Sequence, residues 1–164
     1  MMRENQSEYA LITGGSRGLG RALAEELARR GVPTLLVGTG ESVLRVCEEI
    51  AATYHVPSVG FVADLTRKDE VLALAETVNR QYEIGMLSNN AGVGGSCRFE
   101  DASVEYLDNI LQLNVCCTAL LTQLLLPNLL RRARGHILNI GSLAACTPTA
   151  YKTVYPAKIG RAHV

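Results

Sequence analysis

A glycine-rich turn near the N-terminus has the residue types that bind phosphate groups. Residues 13–20 read Thr-Gly-Gly-Ser-Arg-Gly-Leu-Gly, after the apolar run Tyr9–Ile12 and before a helical pattern over Arg21–Arg30. Glycines let the backbone approach phosphate oxygens closely, and the free N–H groups at the start of a helix attract an anion. A strand, such a turn and a helix in this order predict a site for the pyrophosphate of a dinucleotide.

Two motifs together point to one protein family. The glycines follow the spacing Thr-Gly-x-x-x-Gly-x-Gly, and Asn-Asn-Ala-Gly at 89–92 follows the fourth predicted strand. This pair resembles the classical short-chain dehydrogenase/reductases. The resemblance covers nearly the whole chain but only about the first two-thirds of a typical member. It implies an oxidoreductase that transfers a hydride between NAD(P)(H) and a carbonyl or secondary alcohol.

The resemblance also implies a set of cofactor-binding residues. They lie in the glycine turn, after the second strand, after the third strand and in the Asn-Asn-Ala-Gly motif. The set is Thr13, Gly14, Ser16, Arg17, Gly18, Leu19, Gly20, Thr39, Asp64, Leu65, Asn90, Ala91 and Gly92. Asp64 resembles the family's adenine-contacting aspartate, although an aspartate there is equally suited to cap the following helix.

The residues near the second strand favour NADP(H) over NAD(H). An acid at the end of that strand would bind the adenosine ribose and repel a 2′-phosphate, but the chain has Gly38-Thr39-Gly40 and no acid before Glu41. Arg17, inside the glycine turn, is placed to pair with a 2′-phosphate. In the resembling family, a basic residue at this point goes with NADP(H).

The resemblance assigns catalytic roles to three further residues. Ser142, after the fifth strand, resembles the serine that polarises the substrate carbonyl, and Tyr155 follows it by thirteen positions, a separation typical of the family. Asn114 resembles the helix asparagine that supports a water in the proton relay. A tyrosine protonates a substrate oxygen near neutral pH only when a nearby cation lowers its pKa.

The expected lysine is displaced. The family motif is Tyr-x-x-x-Lys, but here Lys158 follows Tyr155 by three positions and Ile159 occupies the fourth. One position on a helix is a rotation of about 100°, which would move the ammonium away from the tyrosine's face. Lys158 is therefore a doubtful catalytic residue.

The final residues suggest a reason for this displacement. Residues 159–164 read Ile-Gly-Arg-Ala-His-Val, the translation of ATC-GGA-AGA-GCA-CAC-GTC in a common sequencing-library adapter, whose next triplet is a stop. We expect the natural sequence to end at Ala157 and residues 159–164 to be an adapter-derived tail. The natural gene would then have room for Tyr-Pro-Ala-Ser-Lys. A genomic locus that encodes the hexapeptide would contradict this hypothesis.

Apolar segments alternate along the chain between short runs and helical patterns. Five strands are predicted at 9–12, 34–37, 59–62, 84–88 and 136–140, with helices at 21–30, 41–54, 69–81, 103–114 and 115–134, the last two being either separate or one continuous helix. This rhythm predicts an α/β domain, 1–158, with a parallel sheet covered on both faces. The resemblance implies a Rossmann-like, doubly wound sheet of order 3-2-1-4-5 that lacks its last strands. The fifth strand would then be an apolar edge prone to aggregation.

Composition excludes several other classes of protein. The chain has 16 Lys and Arg residues and 16 Asp and Glu residues. It therefore has no excess of basic residues that would indicate a nucleic-acid partner. The five cysteines form no Cys-x-x-Cys pair and the three histidines share no ligand spacing, so we expect reduced thiols, no metal and a cytoplasmic protein. The uncharged run 115–130 is shorter than a bilayer span, and a buried helix is expected there.

The sequence leaves alternatives open about what the chain does. The leading interpretation is an NADP(H)-dependent short-chain oxidoreductase whose full-length form is a homo-oligomer, the present chain being a fragment with little turnover. A non-catalytic NADP(H)-binding protein is the main alternative, and the lysine question separates the two. A sugar-nucleotide epimerase is disfavoured because such proteins carry Thr-Gly-x-x-Gly-x-x-Gly and lack Asn-Asn-Ala-Gly. The substrate itself cannot be read from these residues.

Overall fold

The helices and strands alternate as the sequence predicts. The computed structural model describes residues 8–94 and 96–142. The strands are β1 (Tyr9–Thr13), β2 (Thr34–Gly38), β3 (Ser58–Val62), β4 (Ile84–Asn89) and β5 (His136–Asn139). The helices are α1 (Gly18–Arg29), α2 (Ser42–Tyr54), α3 (Lys68–Gln81), α4 (Val104–Leu111) and α5 (Cys117–Leu130). A short 3-10 turn, Phe99–Asp101, precedes α4.

The five strands form one parallel sheet of order β3-β2-β1-β4-β5. Leu11 of β1 lies opposite Leu35 of β2 and Leu87 of β4, and all three side chains are fully buried. The direction of the strand order reverses between β1 and β4, and open α/β sheets bind ligands at such a switch point. The predicted fold class and strand order are confirmed.

Two buried clusters hold helices against opposite faces of the sheet. On one face, Leu11 and Leu87 pack with α3 and α5 residues such as Val78 and Leu121. On the other face, α1 and α2 pack on one residue each from β1 and β2, Ile12 and Leu36. No β5 residue belongs to either cluster among the described residues.

Local signals set the ends of several helices. Gly31 has φ +80°, and its N–H bonds the carbonyl of Ala28, which ends α1 in a left-handed cap. The hydroxyl of Ser103 accepts a hydrogen bond from the N–H of Tyr106 at the start of α4.

One helical run joins α4 to α5. A π-helical turn, Gln112–Cys116, connects them, so the two predicted helices are continuous. By length and composition alone, Val104–Leu130 could cross a membrane, a criterion that core helices of soluble proteins also meet. Leu121 and Leu125 are fully buried in the cluster beneath α5.

Candidate active site

A cleft of about 340 Å³ opens at the carboxyl ends of β1, β2 and β4. Eight residues of the predicted cofactor set line it: Gly14, Ser16, Arg17, Thr39, Leu65, Asn90, Ala91 and Gly92. Val37, Gly38, Ala63, Val93 and Leu113 complete the wall. Thr13, Gly18, Leu19, Gly20 and Asp64, which belong to the same set, are not part of this lining.

Thr13 holds the turn after β4 against the end of β1. Its hydroxyl donates to the carbonyl of Ser88 at 3.3 Å and accepts from the N–H groups of Asn90 and Ala91 at 3.0 and 2.9 Å. The side-chain amide of Asn90 returns the contact, donating to the carbonyls of Thr13 and Gly14 at 2.9 and 3.2 Å. Two cofactor motifs far apart in sequence are thereby fastened into one wall.

Glycine is required in the turn for two different reasons. A Cβ on Gly20 would lie 2.2 Å from the carbonyl oxygen of Gly14 and 2.5 Å from Nδ2 of Asn90, so only glycine allows the first turn of α1 to pack there. Gly18 has φ +56° with open space beyond its Cα. Its backbone conformation, rather than a neighbour, disfavours a side chain.

Helix α1 begins at Gly18, directly after the turn residues Ser16 and Arg17 that line the cleft. Arg17, at the N-cap position, makes no side-chain capping hydrogen bond, and no acid lies in the first turn of the helix. The first N–H groups of a helix lack internal partners and carry a partial positive charge. An anionic group such as a pyrophosphate fits this end without competition from a carboxylate.

Arg17 supplies a cation beside Thr39 at the rim of the cleft. Its side chain is exposed and has no ion pair or hydrogen bond with another residue of 8–94 or 96–142. Arg21, one turn further along α1, differs because its guanidinium bonds Glu25 at 2.7 Å and Glu49 at 2.8 Å. Arg17 is therefore available to an anion, whereas Arg21 is engaged.

Asp64 closes a turn after β3 instead of capping α3. Its Oδ1 accepts from the N–H of Thr66 at 3.0 Å and from the Thr66 hydroxyl at 2.7 Å. Helix α3 begins only at Lys68, with Arg67 at the N-cap position, so the capping alternative for Asp64 is wrong. Leu65, beside it, is buried and lines the cleft.

Asn114 lies fully buried in the π-helical turn, and its side chain forms two hydrogen bonds with the loop that follows β4. Its Oδ1 accepts from the N–H of Val93 at 3.0 Å, and its Nδ2 donates to the carbonyl of Val93 at 2.8 Å. A buried amide is costly unless both of its ends are bonded, and here both are. This contact ties the helix to Val93 in the cleft wall.

Ser142 follows β5 at the same edge of the sheet. The N–H of Ile140 donates to the carbonyl of Asn89 at 3.1 Å, which carries the end of β5 alongside β4. Asn89 also donates from Nδ2 to Asn139 at 2.9 Å and to the Thr122 hydroxyl at 3.2 Å. Tyr155, Lys158 and the tail 159–164 lie outside the described residues.

Sequence reasoning missed four residues that fix the site: Thr122, Asn139, Val93 and Glu70. Thr122 and Asn139 accept hydrogen bonds from the side-chain amide of Asn89. The backbone N–H of Val93 donates to Asn114, and the carboxylate of Glu70 accepts from the backbone N–H of Asp64. The sequence carries only a weak signal for these four residues. Asn114 and Thr122 are polar residues eight positions apart on one apolar helix, which predicts a polar stripe toward the sheet but not its partners.

Comparisons with known proteins agree with the geometry. The family model for short chain dehydrogenase matches residues 8–161. Very-long-chain 3-oxoacyl-CoA reductase of Macaca fascicularis is 34% identical over 155 residues, which are 92% of this chain and 49% of that protein. Inactive hydroxysteroid dehydrogenase-like protein 1 of Homo sapiens is 32% identical over 152 residues, 91% of this chain and 46% of that protein. The chain thus spans about half the length of these relatives.

A solved structure shares the fold across the described chain. The short-chain dehydrogenase from Sphingobium yanoikuyae in complex with NADPH superposes with a TM-score of 0.88 at 29% identity. The match covers 93% of this chain and 60% of that one.

Proposed function

The chain belongs to the short-chain dehydrogenase family, and we propose that it forms the cofactor-binding part of an NADP(H)-dependent oxidoreductase. The reaction is hydride transfer between the nicotinamide and the carbonyl carbon of a small molecule, or the reverse from a secondary alcohol. The observation that carries this proposal is the cleft where the glycine turn, the Asn90 turn and the segment after β3 meet.

The residues of the cleft suit a nicotinamide dinucleotide. Gly14, Gly18 and Gly20 give the turn its close backbone approach, and the uncapped end of α1 offers N–H groups to the pyrophosphate. Asn90 and Ala91, held by hydrogen bonds to Thr13, form a wall of the cleft that would border the cofactor. When bound, the cofactor supplies or accepts the hydride.

The chain's own residues would handle the proton and the substrate oxygen. Ser142 would donate a hydrogen bond to the carbonyl oxygen and so stabilise the negative charge that develops there. Tyr155 would give its phenolic proton to that oxygen in reduction and take it back in oxidation. Asn114 would support the water that relays the proton, with its side chain fixed on Val93.

NADP(H) is favoured over NAD(H) by the charges at the rim. A 2′-phosphate would meet the guanidinium of Arg17, while no acid follows β2 before Glu41, which is exposed beyond Gly40. The complex of the Sphingobium yanoikuyae relative with NADPH agrees with this choice.

Matched arginine variants test the cofactor preference. Arg17→Gln should weaken binding of NADPH by about tenfold or more, because a charge-assisted contact with the 2′-phosphate is lost, and leave NADH binding nearly unchanged. Arg21→Gln is the control, since that guanidinium is already held by Glu25 and Glu49. Calorimetric titration with both cofactors gives the ratio of affinities. A ratio that Arg17→Gln does not change would refute the preference.

A non-catalytic NADP(H)-binding protein is the second candidate. It is favoured by the displaced Lys158, and the human relative named as inactive shows that identity at this level does not guarantee activity. Sequencing the source gene across the codon for Ala157 separates the two. A frame that continues into Ser-Lys supports the oxidoreductase. A gene that encodes residues 158–164 as printed supports the non-catalytic protein.

A further inference from the structure

The wall of the cleft beyond β2 is a short segment whose position is set by contacts on its outer side. Ala63 and Leu65 line the cleft, and the N–H of Ala63 donates to the carbonyl of Gly38 at 2.9 Å. Asp64 lies between them and is half-buried. Its side chain is turned toward Thr66, whose N–H and hydroxyl both bond Oδ1.

Glu70 bonds this segment from outside the cleft. Its Oε2 accepts a hydrogen bond from the backbone N–H of Asp64 at 2.7 Å, and its Oε1 lies 3.0 Å from Nε of Arg67. Glu70 borders a shallow depression on the far side of Ala63, and it is absent from the lining of the cleft. Its contact with the cleft wall is therefore through the backbone N–H of Asp64.

The place of this segment identifies the part of the cofactor that it would meet. A dinucleotide lies across the switch point with one mononucleotide on each side. Ser142 follows β5, so the reacting nicotinamide half belongs over β4 and β5. The adenosine half then extends over β2 and β3, where Ala63 and Leu65 form the wall.

We propose that Glu70 is a positioning residue for the adenosine half of the cofactor, holding the Asp64 backbone so that Ala63 and Leu65 present a fixed surface. This rests on the proposed dinucleotide-binding function. Glu70 acts through a side-chain oxygen that lies close enough to accept the hydrogen bond from the Asp64 N–H. Its negative charge contributes less to cofactor affinity.

Asp69 is a matched control in the same turn of the same helix. Its Oδ2 lies 2.8 Å from the guanidinium of Arg67, and that hydrogen bond lowers the pKa of Asp69. Both acids of the first turn of α3 thus pair with Arg67, but only Glu70 accepts from Asp64.

Three substitutions at Glu70 separate reach from charge. Glu70→Gln keeps the length and an acceptor oxygen but loses the charge. Glu70→Asp keeps the charge near Arg67 but is one methylene shorter, and Glu70→Ala loses both. Affinities of the purified chain for NADPH and for adenosine 2′,5′-bisphosphate are measured by calorimetry, with the melting temperature of each variant.

We expect Glu70→Ala and Glu70→Asp to weaken both ligands by about three- to tenfold, whereas Glu70→Gln and Asp69→Ala stay within about twofold of the wild type. Affinity that follows charge, with Glu70→Asp retained and Glu70→Gln lost, would overturn the inference. So would unchanged binding in every variant while the wild type binds NADPH. A wild type that binds neither ligand would instead remove the proposed function on which the inference rests.

Discussion

The interior of the sheet and its β5 edge differ in how completely the described residues build them. At the interior strands β1 and β2, residues are buried against helices on both faces, and contacts of Thr13, Asn90 and Glu70 with backbone groups hold the segments that form the cleft wall. At the β5 end, Ile137 is 41% exposed and the strand pairs only with β4 among residues 8–94 and 96–142. Its link to the sheet includes the side-chain contact of Asn89 with Asn139.

This difference separates the residues that would bind the cofactor from those that would act on the substrate. The parts that would hold the pyrophosphate and the adenosine are formed mainly by residues 13–92, which are packed and hydrogen-bonded against one another and against α5. The parts that would hold the substrate oxygen begin at Ser142 and depend on residues beyond it. A protein built in this way is expected to bind its cofactor through contacts that do not require the reacting residues.

Substitution of Gly20 should have the largest effect on folding stability and on NADPH affinity. In Gly20→Ala the new Cβ would meet the Gly14 carbonyl and Asn90, so the turn must move away from α1. We expect a loss of about 1–3 kcal/mol in folding stability and about a tenfold or greater loss in NADPH affinity. Thermal unfolding and calorimetric titration measure the two effects.

Gly40→Ala is the control for that substitution. A Cβ on Gly40 meets nothing within 4 Å, and its backbone is not left-handed. Its stability and affinity should match those of the wild type. Equal losses in the two alanine variants would show that the packing of Gly20 against Gly14 is not what shapes the turn.

The fifth strand should respond to substitution mainly through association between chains. An exposed apolar edge strand is a site for pairing with another chain, and a charge on it opposes such pairing. Ile137→Lys should therefore reduce self-association with little change in NADPH affinity, as measured by light scattering and titration. Val62→Lys, on the opposite edge strand and 49% exposed in the wild type, is the control. An equal gain from Val62→Lys would mean that surface charge, not the β5 edge, governs association.

Much of the fold could be predicted because its signals are local. Apolar runs of strand length alternate with helical patterns, and their order alone predicts the parallel sheet. The predicted bounds of helices are less accurate next to glycine-rich turns. Helix α1 begins at Gly18 rather than at the predicted Arg21, since glycines in a sequence indicate a turn more readily than the first residues of a helix. The close approach of Gly20 to Gly14 allows the helix to start earlier.

The contacts that shape the site could not be predicted, because they join distant parts of the chain. Asn114 bonds the backbone of Val93, and Thr13 bonds backbone groups more than seventy positions away. A polar residue in an apolar segment predicts that a partner exists but not which one. Asn128, fully buried in α5, shows the same limit, since its amide bonds Asn79, Tyr82 and Ile84.

The most direct measurement is a calorimetric titration of the purified chain with NADPH, at a low chain concentration where association through β5 is weakest. We expect saturable one-to-one binding with a Kd between about 1 μM and 1 mM, the range typical of the KM values of enzymes for their substrates. The affinity should fall in Gly20→Ala and persist in Gly40→Ala. Absence of saturable binding up to about 1 mM NADPH would contradict the claim that the described residues form a working cofactor site.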